Sequence, residues 1–138
     1  MRKIIPLLVV ILFFSCTKSP ESYIEHINGY WEIENVTLSN GMTKDYTISE
    51  TVDFIAINDS LKGFRKKMKP HFNGTYETSK DAENLAVKIE NDSLNIYYKT
   101  LYSTWKETVL LANETQLKVV NDNNDIYTYK RFKPIEIK

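Results

Sequence analysis

Cysteine occurs once in the 138 residues, at position 16, so the chain beyond it has no disulfide, no thiolate metal site and no cysteine nucleophile. Stability has to come from packing. Glycine and proline are each present only four times, and neither occurs from Thr75 to Lys133, which excludes a linker, a low-complexity insert or a Gly-rich phosphate loop there. The two histidines, His26 and His71, have no cysteine, histidine or acid at metal-ligand spacing, and no metal or other cofactor is expected. No Gly-x-Ser-x-Gly or His-Glu-x-x-His pattern is present, and the reading is a non-enzyme. Neither sign of charge dominates, with 18 Lys+Arg against 18 Asp+Glu. A nucleic-acid partner is therefore not expected. The length suits one domain with one modest core.

The longest apolar run, Ile4 to Phe14, follows the cations Arg2 and Lys3. As a helix rising ~1.5 Å per residue it spans roughly half of a ~30 Å hydrocarbon core, so it reads as the h-region of a secretory leader. Phe13-Phe14-Ser15-Cys16 resembles the bacterial lipobox, with Phe13 where that pattern usually has Leu. The resemblance implies cleavage after residue 15 and lipidation (a palmitate-type acyl anchor) at Cys16, with residues 16–22 as the lipidated cysteine and tether and 23–138 as the domain. Several acyl chains at ~0.8 kcal/mol per buried CH₂ would hold the domain at a membrane. Thr17 stands where an Asp would argue for inner-membrane retention, so the expected location is the outer membrane, at its periplasmic face or the cell surface. Loss of Arg2 and Lys3 leaves 16 cations against 18 acids, a net charge of −2.

Pro20-Glu21 with Tyr23, Ile24 and Ile27 predicts one helical turn, ended by Asn28-Gly29. The apolar period then becomes two. Strands are predicted at Tyr30–Leu38, Thr47–Ile57 with a break near Glu50, Lys62–Met68, His71–Thr78, Leu85–Glu90, Ser93–Thr100, Thr104–Leu111, Gln116–Val120 and Ile126–Phe132, with a second helical turn at Ser79–Asn84. Short asparagine-led turns join them, among them Asn40-Gly41, Asn73-Gly74 and Asn121 to Asp125, so neighbours are antiparallel. An all-β, small antiparallel up-and-down barrel of eight to ten strands removes edges best in so short a chain.

Asn28-Gly29-Tyr30-Trp31-Glu32-Ile33 after a helical turn resembles the Gly-x-Trp signature of lipocalins, and Arg131 in the last strand stands where lipocalins often place an arginine on that tryptophan. The stretches from Gly63 to Gly74, Trp105-Lys106-Glu107, and Leu117 on to Phe132 resemble the small lipocalin-like lipoproteins of Bacteroidota, whose members mostly have no assigned ligand. The resemblance covers nearly the whole mature chain and implies a lipocalin-like fold and an envelope location.

Trp31 and Arg131 are expected as a structural pair at the barrel base, where a guanidinium over an indole contributes ~0.5 to 2 kcal/mol. Lys62, Arg65, Lys66, Lys67 and Lys69 place five cations in eight positions with no acid between Asp59 and Glu77. Arg65, Lys67 and Lys69 share one strand face and, with Tyr127 and Tyr129, are candidates for contact with an anion or ligand; a solvated, lysine-protected edge explains the same run. Asp59-Ser60-Leu61 and Asp92-Ser93-Leu94 resemble a three-residue O-glycosylation signal of exported proteins, making Ser60 and Ser93 candidate sites, although turn chemistry alone accounts for both. The expectation is a monomer, held to the membrane by its lipid, that binds a small apolar or amphiphilic ligand at the open end of its barrel. The alternative is a solid barrel acting as a protein-interaction or structural module with an envelope-protein partner. A cavity well below ~300 Å³ would tell against the cup.

Overall fold

The computed structural model describes residues 18–47 and 49–133, with Ser79 described by its backbone alone. The leader and Cys16 lie outside the described residues. Helix α1 (Glu21–Ile27) turns Tyr23, Ile24 and Ile27 onto the core, and Ile27 is completely buried. Asn28 leaves the helix in an extended conformation, and its side chain accepts from the Ile57 N–H at 2.6 Å and donates to the Ile57 carbonyl at 3.3 Å. Gly29, at φ +130°, then swings the chain into the first strand. A Cβ there would sit 2.5 Å from Nη1 of Arg131, so both the backbone angle and the space call for glycine.

Nine strands follow: β1 (Gly29–Thr37), β2 (Thr43–Asp45), β3 (Val52–Ile57), β4 (Lys62–Pro70), β5 (Tyr76–Glu90), β6 (Ser93–Lys99), β7 (Thr104–Ala112), β8 (Gln116–Asn121) and β9 (Ile126–Arg131). Strands β3 to β9 form an antiparallel meander. β1 closes it, pairing with β3 at Gly29 to Trp31 and with β9 from Trp31↔Arg131 to Thr37↔Ile126. Eight strands thus make a closed up-and-down ring with one short helix before its first strand. The ninth, β2, pairs only with the far end of β1.

Two stretches differ from expectation. Thr47, Ser49, Glu50 and Thr51 are not strand, and β3 starts at Val52, with the Tyr46 N–H bonded to the Glu34 carbonyl at 2.9 Å. The expected helical turn at Ser79–Asn84 is extended, and the strands expected on either side of it belong to one fifteen-residue β5. A six-residue helix is shorter than helices that stand alone in water, and here it would leave the facing backbone of β4 unpaired. Pairing from Lys62↔Ala86 to Pro70↔Tyr76 satisfies that backbone, and a bulge between Lys66 and Met68 absorbs the extra residues of β5. His71 to Thr75, expected as strand, is instead the β4–β5 turn, closed by the His71 N–H on the Thr75 carbonyl at 2.8 Å.

Alternation sets the interior. Ile55, Leu85, Val87, Leu94, Ile96, Val109, Leu117 and Val119 point inward and pack with Trp31 and Ile27. Gly63 has no room for a side chain, because a Cβ would overlap the Ala56 carbonyl oxygen on β3. Since α1 lies against the ends of β3 and β7, it closes one end of the barrel, called here the base. The turns β6–β7 and β8–β9 lie at the opposite end, the mouth.

Candidate functional site

At the base, Trp31 is 1% exposed and donates through Nε1 to the Ile27 carbonyl at 2.8 Å. The Arg131 guanidinium lies 3.8 Å from the centre of the Trp31 ring. Its nitrogens donate to the carbonyls of His26, Asn28, Asn113 and Glu114 at 2.7 to 3.2 Å. One side chain thus fastens α1, the β7–β8 turn and β9 to the first strand. A cavity of about 10 Å³ remains above Trp31, beneath Arg65 and Tyr98. That is space for about one water. Among the described residues the lower interior is filled, with no deep cup between them.

The same inward parity that supplies apolar residues below supplies charge above. Asp53 of β3, Arg65 and Lys67 of β4, Glu83 of β5 and Glu107 of β7 face inward in the upper half. Arg65 donates to Glu83 at 2.6 Å, to Glu107 at 3.4 Å and to the Tyr98 hydroxyl at 3.3 Å, and its guanidinium stacks 4.2 Å from the Tyr98 ring. Tyr98 in turn stacks on Trp105. Burial opposes the Arg65 charge, but the surrounding Tyr98, Glu107 and Glu83 hold it firmly protonated. Burial pushes Glu107 above the ordinary carboxylate range, because Arg65 faces Glu83 more closely and offsets only part of the desolvation. Lys67 reaches Asp53 at 3.2 Å.

Over this layer lies an open pocket of about 220 Å³. Trp31, Tyr46, Asp53, Lys67, Tyr127 and Tyr129 contribute its aromatic and charged walls. Among the described residues the hydroxyls of Tyr46, Tyr127 and Tyr129 make no hydrogen bond, and no sealed side-chain polar atom lacks a partner, so these hydroxyls look into open space. Burial, reinforced by Asp53 and Glu107, holds the Tyr129 phenol protonated well past its ordinary range. It can donate at any physiological pH. A larger groove of about 790 Å³ lies beside it at the mouth, between Lys80 to Asn84 of β5 and the Lys99 to Tyr102 segment, with Glu83 in its wall and Lys67 shared with the pocket.

Of the candidate contact residues, Lys67, Tyr127 and Tyr129 meet in the mouth pocket, Arg65 lies beneath it, and Lys69 is exposed outside these concavities. Arg65 and Lys67 are both held by acids, because an inward charge is stable only beside a counter-charge. Ser60 is exposed in the β3–β4 turn and Ser93 is half-buried at the start of β6, both at the base end. Asp53, Glu83 and Glu107 were not singled out from the sequence. Their signal was parity: Asp53 alternates with Ile55 and Ile57, and Glu107 with Trp105 and Val109, acids placed on an apolar face.

No family profile matches the chain, and no curated protein matches it. Among solved structures it is similar to a lipocalin-like protein from Bacteroides uniformis, with 7% identity and a TM-score of 0.49 over 78% of this chain and 99% of the other. It is also similar to an uncharacterized protein from Bacteroides eggerthii, with 10% identity and a TM-score of 0.48 over 76% and 98%. The barrel assignment rests on this chain's own strand pairing.

Proposed function

We propose that the protein is a lipid-anchored, monomeric barrel of the bacterial outer membrane that binds a small amphiphilic molecule in the shallow pocket at its mouth. The carrying observation is the pocket of about 220 Å³, walled by aromatic residues and three unpaired tyrosine hydroxyls, above a cavity of only about 10 Å³ among the described residues of the core. It lies below the ~300 Å³ of common ligand sites, so the ligand is smaller than the apolar cargo of a deep cup. Binding is the proposed role, with no reaction assigned to these residues. The anchor is read from the lipobox-like Phe13 to Cys16. Residues after it lead through Pro20 into α1 at the base, so a lipid on Cys16 would set the mouth away from the bilayer.

One observation favours a protein partner instead. Leu101 and Tyr102 are 95% and 94% exposed on the rim of the larger groove, where Lys80 and Lys99 have no ion-pair partner among the described residues. An acidic segment of another envelope protein would fit that rim. Native mass spectrometry of the protein extracted from its own envelope separates the two. A co-purifying small mass supports the pocket, and a stoichiometric protein lost on Tyr102→Ser supports the rim. For the anchor, Cys16→Ala is expected to move the protein from the membrane to the soluble fraction; retention on the membrane would refute it.

A further inference from the structure

We infer that the mouth pocket takes an organic ammonium ion, whose head replaces the Lys67 ammonium on Asp53. This rests on the mouth-pocket reading of function and names the ligand's chemical class.

The resident lysine marks the position. Its Nζ stands 3.2 Å from Asp53 Oδ1 in the pocket wall, and its side chain is 65% exposed, whereas the Asp53 side chain is only 12% exposed. The carboxylate is therefore fixed, and the cation upon it is held loosely. An ion pair with one partner so open to water is weak and easily exchanged. Lys67 also borders the larger groove, which gives its displaced head a place in water, near Glu83.

The walls suit a positive charge. Tyr46, Tyr127 and Tyr129 line the pocket, and aromatic faces attract an ammonium, most strongly where water is excluded. Three carboxyl groups, Asp53, Glu83 and Glu107, face two cations, Arg65 and Lys67, so removal of the Lys67 head leaves the layer short of positive charge. The unpaired hydroxyls can accept N–H groups from a primary amine. An anionic head would find the reverse. The buried cation, Arg65, is already engaged by Glu83 and Glu107 below the pocket, and Asp53 would repel the newcomer.

The test is an isothermal titration of the folded domain with phenethylammonium, phenylacetate and 2-phenylethanol, which share a ring and differ in the charge of the head. Phenethylammonium is expected to bind at least about tenfold more tightly than the other two. Lys67→Met, which removes the competing resident cation, is expected to tighten phenethylammonium by about three- to tenfold, and Asp53→Asn to weaken it by at least tenfold. Lys67→Met carries the test even if Asp53→Asn misfolds, since its head group is exposed. Preference for phenylacetate, or weaker ammonium binding in Lys67→Met, overturns the inference. Binding of the alcohol or the acid with none of the ammonium also overturns it while leaving the pocket reading intact. No binding of any probe, with no small mass on the envelope-extracted protein, overturns both.

Discussion

At the base, a single arginine donates to four backbone carbonyls and stacks on a tryptophan that donates to a fifth, leaving nothing for a ligand to bind. At the mouth, a second arginine is divided between two carboxylates, a lysine reaches a third from the solvent side, and tyrosine hydroxyls stand unpaired. Both ends come from the same alternating strands. The difference lies in whether the inward side chains find all their partners within the chain. Where they do, the end is structural; where they do not, it is left open to a ligand. The arginines sharpen the point, because Arg131 is satisfied by neutral backbone, whereas Arg65 needs charges that titrate.

Disruption of the base is expected to have the largest effect. Trp31→Ala should destabilise the fold by about 3 to 5 kcal/mol, as large core truncations do. Urea unfolding measures this directly, and a loss under about 1 kcal/mol would remove the base from its structural role. Next comes the polar layer. Arg65→Ala strands Glu83 and Glu107 without their cation and should cost about 3 kcal/mol near neutral pH. The deficit should shrink in acid as Glu107, whose pKa burial raises, takes up its proton, so a cost unchanged between pH 7 and pH 4 would mean that Arg65 acts by packing alone.

A smaller effect of opposite sign is expected from Glu107→Gln. Burial raises the Glu107 pKa, so the folded state favours its protonated form. Its contribution is thus fully present below the unfolded carboxyl pKa of about 4.3 and is lost as pH rises through the higher folded value. Replacement by a neutral amide should therefore stabilise the protein at neutral pH and do little near pH 4. A variant less stable than the parent at pH 7 would show instead that the pair with Arg65 outweighs desolvation.

The barrel was legible because alternation runs through β1, β6, β7, β8 and β9, and because asparagine-led turns mark most strand ends. Ser79 to Asn84 was not. Its acids and alanine carry no alternating apolar signal, and only pairing with β4 makes it extended. Trp31 and Arg131 stood out as the two ends of a closed ring. The mouth was half legible: its cations were conspicuous in the Lys62 to Lys69 run, but their acids come from Asp53, Glu83 and Glu107 on three other strands, and only the register brings them together. For the same reason the basic run read in sequence as either an anion site or a solvated edge, and the three carboxyl groups that meet Arg65 and Lys67 were not visible beside it.

The most direct measurement is chemical-shift mapping of the backbone amides during titration with phenethylammonium. The shifts should be confined to the pocket wall, at Tyr46, Asp53, Lys67, Tyr127 and Tyr129 and their neighbours, with α1 and the Asn91-Asp92 turn at the base unmoved. Shifts centred on Lys80 to Asn84 and Lys99 to Tyr102 would contradict this, placing recognition in the larger groove and leaving the aromatic pocket as a second structural seal.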